Sequence, residues 1–275
     1  MKSIAAVISI VLKQTELKSM IRLVVGIVLS CHLSTSWATN QLREMEHADR
    51  IKASFSTGKM VWLQLKNSQF LSLYTKTEKE TQGAAIILHS MGGHPDQKRL
   101  INPLRTFLPQ HSWATLSIQM PALEMDANEK EYYPLFDNAE ARIQAGINFL
   151  IDDGIDNIVI IGYGLGSMMG IYFIINNADK SAVNALVTIS LLVPDSDKKQ
   201  VQVLDFITKV KEPFFDIFAE FDLPNVVKSN RKRRLSAKNN LAYRQLKIKG
   251  AGHAFHNNEE LVVKRIYSWI NRTFK

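Results

Sequence analysis

From residue 84 onward the chain repeats one pattern, in which short apolar runs alternate with stretches of helical periodicity. The runs are Ala84–Leu88, Ala114–Ile118, Ile158–Ile161, Leu186–Ile189, Phe214–Phe218 and Leu246–Ile248. They are nearly continuous rather than alternating, as expected of strands in a parallel sheet covered on both faces. Between two of the runs, Ile143, Ile147, Leu150 and Ile151 fall at i, i+4, i+7 and i+8. Val262, Ile266, Trp269 and Ile270 repeat that spacing near the C-terminus, so each set predicts a helix with one apolar stripe. The pattern before residue 84 is different. Met60–Leu65 and Phe70–Tyr74 alternate apolar and polar around Lys66-Asn67-Ser68, which predicts an antiparallel pair. Thr39–Ser56 is polar with scattered apolar positions and predicts a lead-in helix. Together these elements predict an α/β fold: a mostly parallel sheet, antiparallel strands at its N-terminal side, and helices on both faces. No internal repeat, low-complexity tract or Gly/Ser-rich linker interrupts residues 39–275, so one domain is expected there.

The first 38 residues follow another logic. Lys18 and Arg22 precede the apolar run Leu23–Leu29, and Ser36-Trp37-Ala38 has the small-x-small form of a cleavage site. This order reads as a secretory signal, with Met20 as an alternative start, and the run is short for a membrane span. Export to a periplasmic location is therefore expected, the alternative being a retained membrane anchor. Cys31 is the single cysteine, so no intramolecular disulfide can form, and the loose lipobox Val28-Leu29-Ser30-Cys31 offers a lipoprotein alternative. The composition, 46% hydrophobic and 22% charged, is that of an ordinary globular chain. Part of the net charge of +8 belongs to the leader, which carries Lys2, Lys13, Lys18 and Arg22 against Glu16. Another part sits in Arg231-Lys232-Arg233-Arg234, read as a solvated surface with the option of peripheral contact with an anionic membrane. No aromatic interleaving or nucleic-acid motif accompanies that run, and no nucleic-acid partner is expected.

Three turns stand where an α/β sheet presents chemistry, at the C-terminal ends of its strands. After the first parallel run comes His89-Ser90-Met91-Gly92-Gly93-His94-Pro95-Asp96. It is similar to the loop that supplies half of an esterase oxyanion hole, with Ser90 where glycine is usual and Met91 and Gly92 as candidate donors. A plain strand-to-helix turn accounts for the same residues. After the third run comes Gly162-Tyr163-Gly164-Leu165-Gly166-Ser167. Strand, sharp turn and helix follow one another as in a nucleophile elbow of form G-x-S-x-G, and Leu165 would offer the second oxyanion N–H. Both outer glycines are present, but Gly164 occupies the place of the serine. Ser167 is a candidate displaced nucleophile, one helical turn on, although its hydroxyl can equally bond a preceding carbonyl. The glycines also suggest a dinucleotide site, but their spacing and the missing acidic residue after the next strand disfavour it, and no cofactor is expected. The third place is Asp222, after the run Phe214–Phe218, with His253 in Gly250-Ala251-Gly252-His253. The order elbow, Asp, His is that of the α/β hydrolases, with Asp195 as the alternative acid. His256 lies near His253, but the spacing is not a metal signature, and no metal is expected.

These segments, with Ser112-Trp113-Ala114-Thr115-Leu116-Ser117-Ile118-Gln119-Met120-Pro121, resemble an uncharacterised bacterial family of exported α/β-hydrolase-like proteins, a domain of unknown function. The resemblance runs from about Gln41 to the C-terminus. It implies the α/β-hydrolase fold and export, supplies no substrate, and implies that a Gly-x-Gly-x-Gly elbow is usual in the group. Two functions follow as expectations. One is an ester-type hydrolase in which His253, held by Asp222, activates water or a relocated serine hydroxyl, Ser90 or Ser167. The other is a non-catalytic binding protein of the cell envelope that takes an acyl chain, a lipid or another small molecule in the same pocket. Residues 121–136, rich in Glu, Tyr and Pro, are read either as a lid or as a surface excursion.

Overall fold

The computed structural model describes residues 39–177 and 182–275. The expected leader and Cys31 lie outside them. Eight strands form one sheet: β1 (Lys59–Gln64), β2 (Gln69–Thr75), β3 (Gly83–Leu88), β4 (Trp113–Ile118), β5 (Ile158–Tyr163), β6 (Val183–Ile189), β7 (Phe214–Phe221) and β8 (Tyr243–Gly252). Their spatial order is β1-β2-β4-β3-β5-β6-β7-β8. β2 is antiparallel to β1 and to β4, and every other pairing is parallel.

The continuous apolar runs have the cause that their composition suggested. Successive residues of each parallel strand enter opposite layers. Ala84, Ile86 and Leu88 of β3 join one core with Ile158 and Ile160 of β5, beneath helices α3 (Phe136–Asp152), α4 (Leu165–Asn176) and α5 (Val203–Lys209). Ala85 and Ile87 join the other core with Val159 and Ile161, beneath α2 (Ile101–Phe107) and α7 (Glu259–Thr273). Val262, Ile266, Trp269 and Ile270 form the buried stripe of α7, as the periodicity requires. In α3 the stripe runs through Ile143, Ile147 and Leu150, whereas Ile151 is exposed at the helix end. Residues 121–136 are ordered in their second half. A 3₁₀ turn, Glu129–Leu135, is closed by a capping box between Asn128 and Glu131 and buries Tyr132 and Tyr133 in the first core.

Helix α1 (Gln41–Ser54) lies over β2, with Ala48 and Ile51 against Leu71 and Leu73. Glu44 fixes it by a two-pronged ion pair with Arg142 of α3, both contacts 3.0 Å. Both side chains are buried, and Arg142 also donates to the Gln119 carbonyl at 2.8 Å.

The basic run on α6 (Pro224–Ser236) divides. Arg231, Lys232 and Arg234 are exposed, but Arg233 is fully buried. Its Nε donates to Asp216 Oδ2 at 2.8 Å, and one Nη donates to the Val226 carbonyl and the Ser229 hydroxyl. Arg233 is therefore withdrawn from the expected anionic-membrane patch, which reduces to its three neighbours. Removing Arg233 leaves the buried Asp216 charge without its cation, a loss of about 3–5 kcal/mol. Urea denaturation of Arg233→Ala should register that loss, while Arg231→Ala and Arg234→Ala change stability by no more than about 0.5 kcal/mol. Equal effects at the three positions would contradict the buried pairing.

Candidate active site

The C-terminal ends of β3, β5, β6, β7 and β8 converge on one group of side chains. At the end of β7 the chain turns tightly, with Asp222 N–H donating back to the Ala219 carbonyl. The buried Asp222 carboxylate receives four donors. His253 Nδ1–H reaches Oδ1 at 2.7 Å and the Leu223 N–H reaches the same oxygen at 2.9 Å. The Ser190 hydroxyl reaches Oδ2 at 2.6 Å and the Ala219 N–H at 3.0 Å. Burial alone would push this carboxyl up. The hydrogen bonds from His253, Ser190, Ala219 and Leu223 outweigh burial and hold it below the usual carboxylate range.

His253 is steadied from two further directions. Tyr163 stacks on its ring, with centroids 5.5 Å apart and planes 28° apart. The Tyr163 hydroxyl donates to the His253 carbonyl at 3.1 Å. Burial, with Asp222 nearby, pushes the Tyr163 phenol up to about 12, so it stays a donor. Two residues beyond His253, Phe255 is fully buried and anchors the loop. With Nδ1–H committed to Asp222, the imidazole presents Nε2 as an acceptor, and Nε2 makes no hydrogen bond among the described residues. The structure thus brings the expected Asp222 and His253 together. Asp195 is elsewhere, on a surface cleft with Lys130, Tyr133 and Pro134.

The elbow has the expected strand–turn–helix form. Gly164 sits at φ +54° and ψ −117°, a conformation that a side chain adopts only under strain. Gly166 lies so close to β3 that a β-carbon on it would stand 2.5 Å from the Leu88 carbonyl oxygen and 2.6 Å from that of His89. Ser167 departs from its candidate role. It is fully buried, and its hydroxyl donates toward the Gly162 carbonyl at 2.7 Å and the Ile189 carbonyl at 3.0 Å while accepting from the Ile189 N–H. Both faces of that oxygen are used inside the sheet, so Ser167 is a packing residue.

The hydroxyl at the elbow comes from another strand. A β-carbon built on Gly164 would meet Ser90 Oγ at 2.3 Å, so Ser90 fills the space that an elbow side chain would occupy. Ser90 Oγ accepts the Leu165 N–H at 3.2 Å, the expected oxyanion donor. The other candidate donors, Met91 and Gly92, are exposed, and their N–H groups make no hydrogen bond among the described residues. His89 fixes the loop. Its Nδ1–H donates to the Ser90 carbonyl at 2.8 Å, and its Nε2 accepts the Met120 N–H at 2.9 Å. Burial pushes this imidazole down to about 3, so it holds both contacts as a neutral ring. Gly93 N–H donates to the same Ser90 carbonyl at 3.0 Å.

Sequence reasoning missed Ser190, whose hydroxyl orients Asp222 from the end of β6. Its φ of +54° marks a sharp turn there, but only the fold reveals that it faces the acid. Among the described residues no cluster of three or more His, Cys, Asp or Glu side chains is arranged to hold a metal ion.

Comparison with known proteins agrees with this architecture. Est1E from Butyrivibrio proteoclasticus superposes with a TM-score of 0.61 at 15% identity, over 78% of this chain and 98% of that one. A dienelactone hydrolase from Anabaena variabilis gives 0.62 at 19% identity, over 78% and 96%. A lidless α/β serine hydrolase from Xanthomonas campestris gives 0.60 at 12% identity, over 79% and 95%. At these identities the likeness establishes the α/β-hydrolase fold alone. No curated protein matches the chain. The DUF3530 family, described as a protein of unknown function, matches over residues 34–135 and 124–272, and the chain belongs to it.

Proposed function

We propose that the protein is an ester-type hydrolase in which Ser90 supplies the hydroxyl that the elbow lacks and the Asp222–His253 pair activates it. The observation that carries this reading is the placement of Ser90 Oγ in the space of a Gly164 side chain, bonded to the Leu165 N–H. The chemistry then follows the two-step course of a serine esterase. His253 Nε2 takes the Ser90 proton, directly after side-chain rotation or through one water, since the two groups are not hydrogen bonded at rest. Ser90 Oγ bonds to the ester carbonyl carbon, and the carbonyl oxygen takes up the negative charge against the Leu165 and Met91 N–H groups. Collapse breaks the bond to the alcohol, which leaves with the proton from His253. Water, deprotonated by the same ring, then adds to the acyl carbon, and the acyl–Oγ bond breaks as His253 returns the proton to Ser90 and the acid is freed. Asp222, ionised at neutral pH, stabilises the imidazolium at both stages. The reading includes export, on the strength of the basic, apolar and small-residue order of residues 1–38.

A second reading, a non-catalytic binding protein of the cell envelope, is favoured by the same contact. Ser90 Oγ occupies an N–H that an esterase leaves open to its substrate. Covalent labelling separates the two. A fluorophosphonate probe should modify Ser90, as mapped by peptide mass spectrometry, with Ser90→Ala unlabelled and His253→Ala slowed by about 100-fold or more. Absence of any adduct on the wild type would overturn Ser90 as the nucleophile and leave the binding protein or a hydrolase in which His253 activates water.

Exchange of the two positions gives an independent check. Gly164→Ser alone forces a side chain into the space of Ser90 at a positive φ, at a loss of about 1–3 kcal/mol. The double variant Ser90→Gly/Gly164→Ser should recover part of that loss and move the fluorophosphonate adduct to residue 164. If the double variant melts no higher than Gly164→Ser, the two positions do not share one space.

A further inference from the structure

Beside the loop that carries Ser90 lies a cleft of about 920 Å³, within the range of small-molecule sites. One wall is helix α1, which turns Arg43, His47, Arg50, Ile51 and Ser54 toward it at helical spacing. The facing wall is the chain after β3, including Gly92, His94 and Lys98, and residues after β4 close one end. Gly92 stands two residues from Ser90, so the cleft and the candidate nucleophile share a loop.

The charges of this cleft are unevenly matched. Asp96 is neutralised by Arg105, 2.8 Å away, and is also bonded by Asn102. Glu124 accepts from the Asn40 amide at 2.6 Å, and Glu46 stands 4.0 Å from Arg50. Arg43, Arg50 and Lys98 therefore face two remaining carboxylates, Glu46 and Glu124. Arg43 also donates to the Leu123 carbonyl and Arg50 to the Glu46 carbonyl, whereas Lys98 makes no ion pair or hydrogen bond among the described residues. His94 adds a neutral donor. Its Nδ1 accepts the Asp96 N–H, which leaves the ring proton on Nε2, and burial holds the ring below its ordinary pKa. The rim is of the opposite character. Leu42 and Met125 line the cleft at 71% and 88% exposure, which leaves two large apolar side chains open beside the charged ones. Its only ring side chains are His47 and His94, whose centroids lie 5.5 Å apart.

We infer that this cleft binds an anionic amphiphile, its oxyanion group held by Arg43, Arg50 and Lys98 and its apolar chain lying along Leu42 and Met125. On the reading of Ser90 as nucleophile, the cleft selects esters that carry such a chain and charge; its ability to bind does not depend on that reading.

Calorimetric titration of the protein with dodecyl phosphate below its micellar concentration tests the inference, with dodecyltrimethylammonium and inorganic phosphate as comparators. Dodecyl phosphate should bind about tenfold or more tightly than either comparator, and Arg50→Gln/Lys98→Gln should weaken it by about tenfold. Both substituted side chains are exposed, so the variant should keep its melting temperature. Equal binding of the two charged amphiphiles, or no effect of the double substitution, would overturn the inference. Inorganic phosphate binding as tightly as dodecyl phosphate would overturn it in favour of a site for a free oxyanion, and absence of binding would end it. Ser90→Ala should bind dodecyl phosphate like the wild type, so a failure of labelling and a failure of the cleft are told apart.

Discussion

The turn between β5 and α4 rests directly on the last carbonyls of β3, and the site depends on that contact. A β-carbon at residue 166 would fall 2.5 Å from the Leu88 oxygen, and one at residue 162 would fall 2.6 Å from the Gly166 oxygen and the Ser167 nitrogen. Neither neighbour is a flexible side-chain end that could give way, so both positions require glycine for lack of space. The approach also fixes what lies at the elbow. With the His89 carbonyl pressed against Gly166, the next residue, two beyond the end of β3, is delivered to Gly164. A serine there needs only its short side chain to enter the space above the turn. Ser90 is that residue, and its reach follows from the same contact that makes Gly166 necessary.

The frame of this molecule is legible in the sequence because the sheet is covered on both faces. That burial favours apolar residues along the central strands, and β3 and β5 announce themselves for that reason. Asp222 and His253 are legible too, since each follows a strand and the histidine sits in a glycine-flexed loop. What escapes is whatever depends on distance between strands. Nothing local to residue 90 says that its hydroxyl meets residue 164, and nothing local to residue 190 says that it meets residue 222. Arg233 is an intermediate case. A run of basic residues reads as surface, yet a helix points successive residues about 100° apart, so one member of the run must face inward. Val226, Ser229 and Arg233, at i, i+3 and i+7, are the buried residues of α6, and that spacing was available in the sequence.

The two halves of the candidate site are supported by different parts of the fold. Asp222 is oriented from β6 by Ser190 and from its own turn by Ala219 and Leu223. His253 is fixed by Asp222, by Tyr163 and by the anchoring of Phe255. None of these contacts uses the side chain at 164. The acid–base pair is therefore indifferent to which strand supplies the hydroxyl, as long as an oxygen stands near the elbow and the imidazole keeps a free Nε2. A serine at 164 would carry the strain of φ +54°, whereas Ser90 offers its oxygen without placing a side chain in that conformation. The cost falls on the oxyanion hole, where Ser90 Oγ uses the Leu165 N–H at rest. In the proposed esterase reaction an ester carbonyl must take over that N–H as the new bond forms. Transition-state charge is a stronger acceptor than a neutral hydroxyl, so the exchange favours the reacting complex over the resting one.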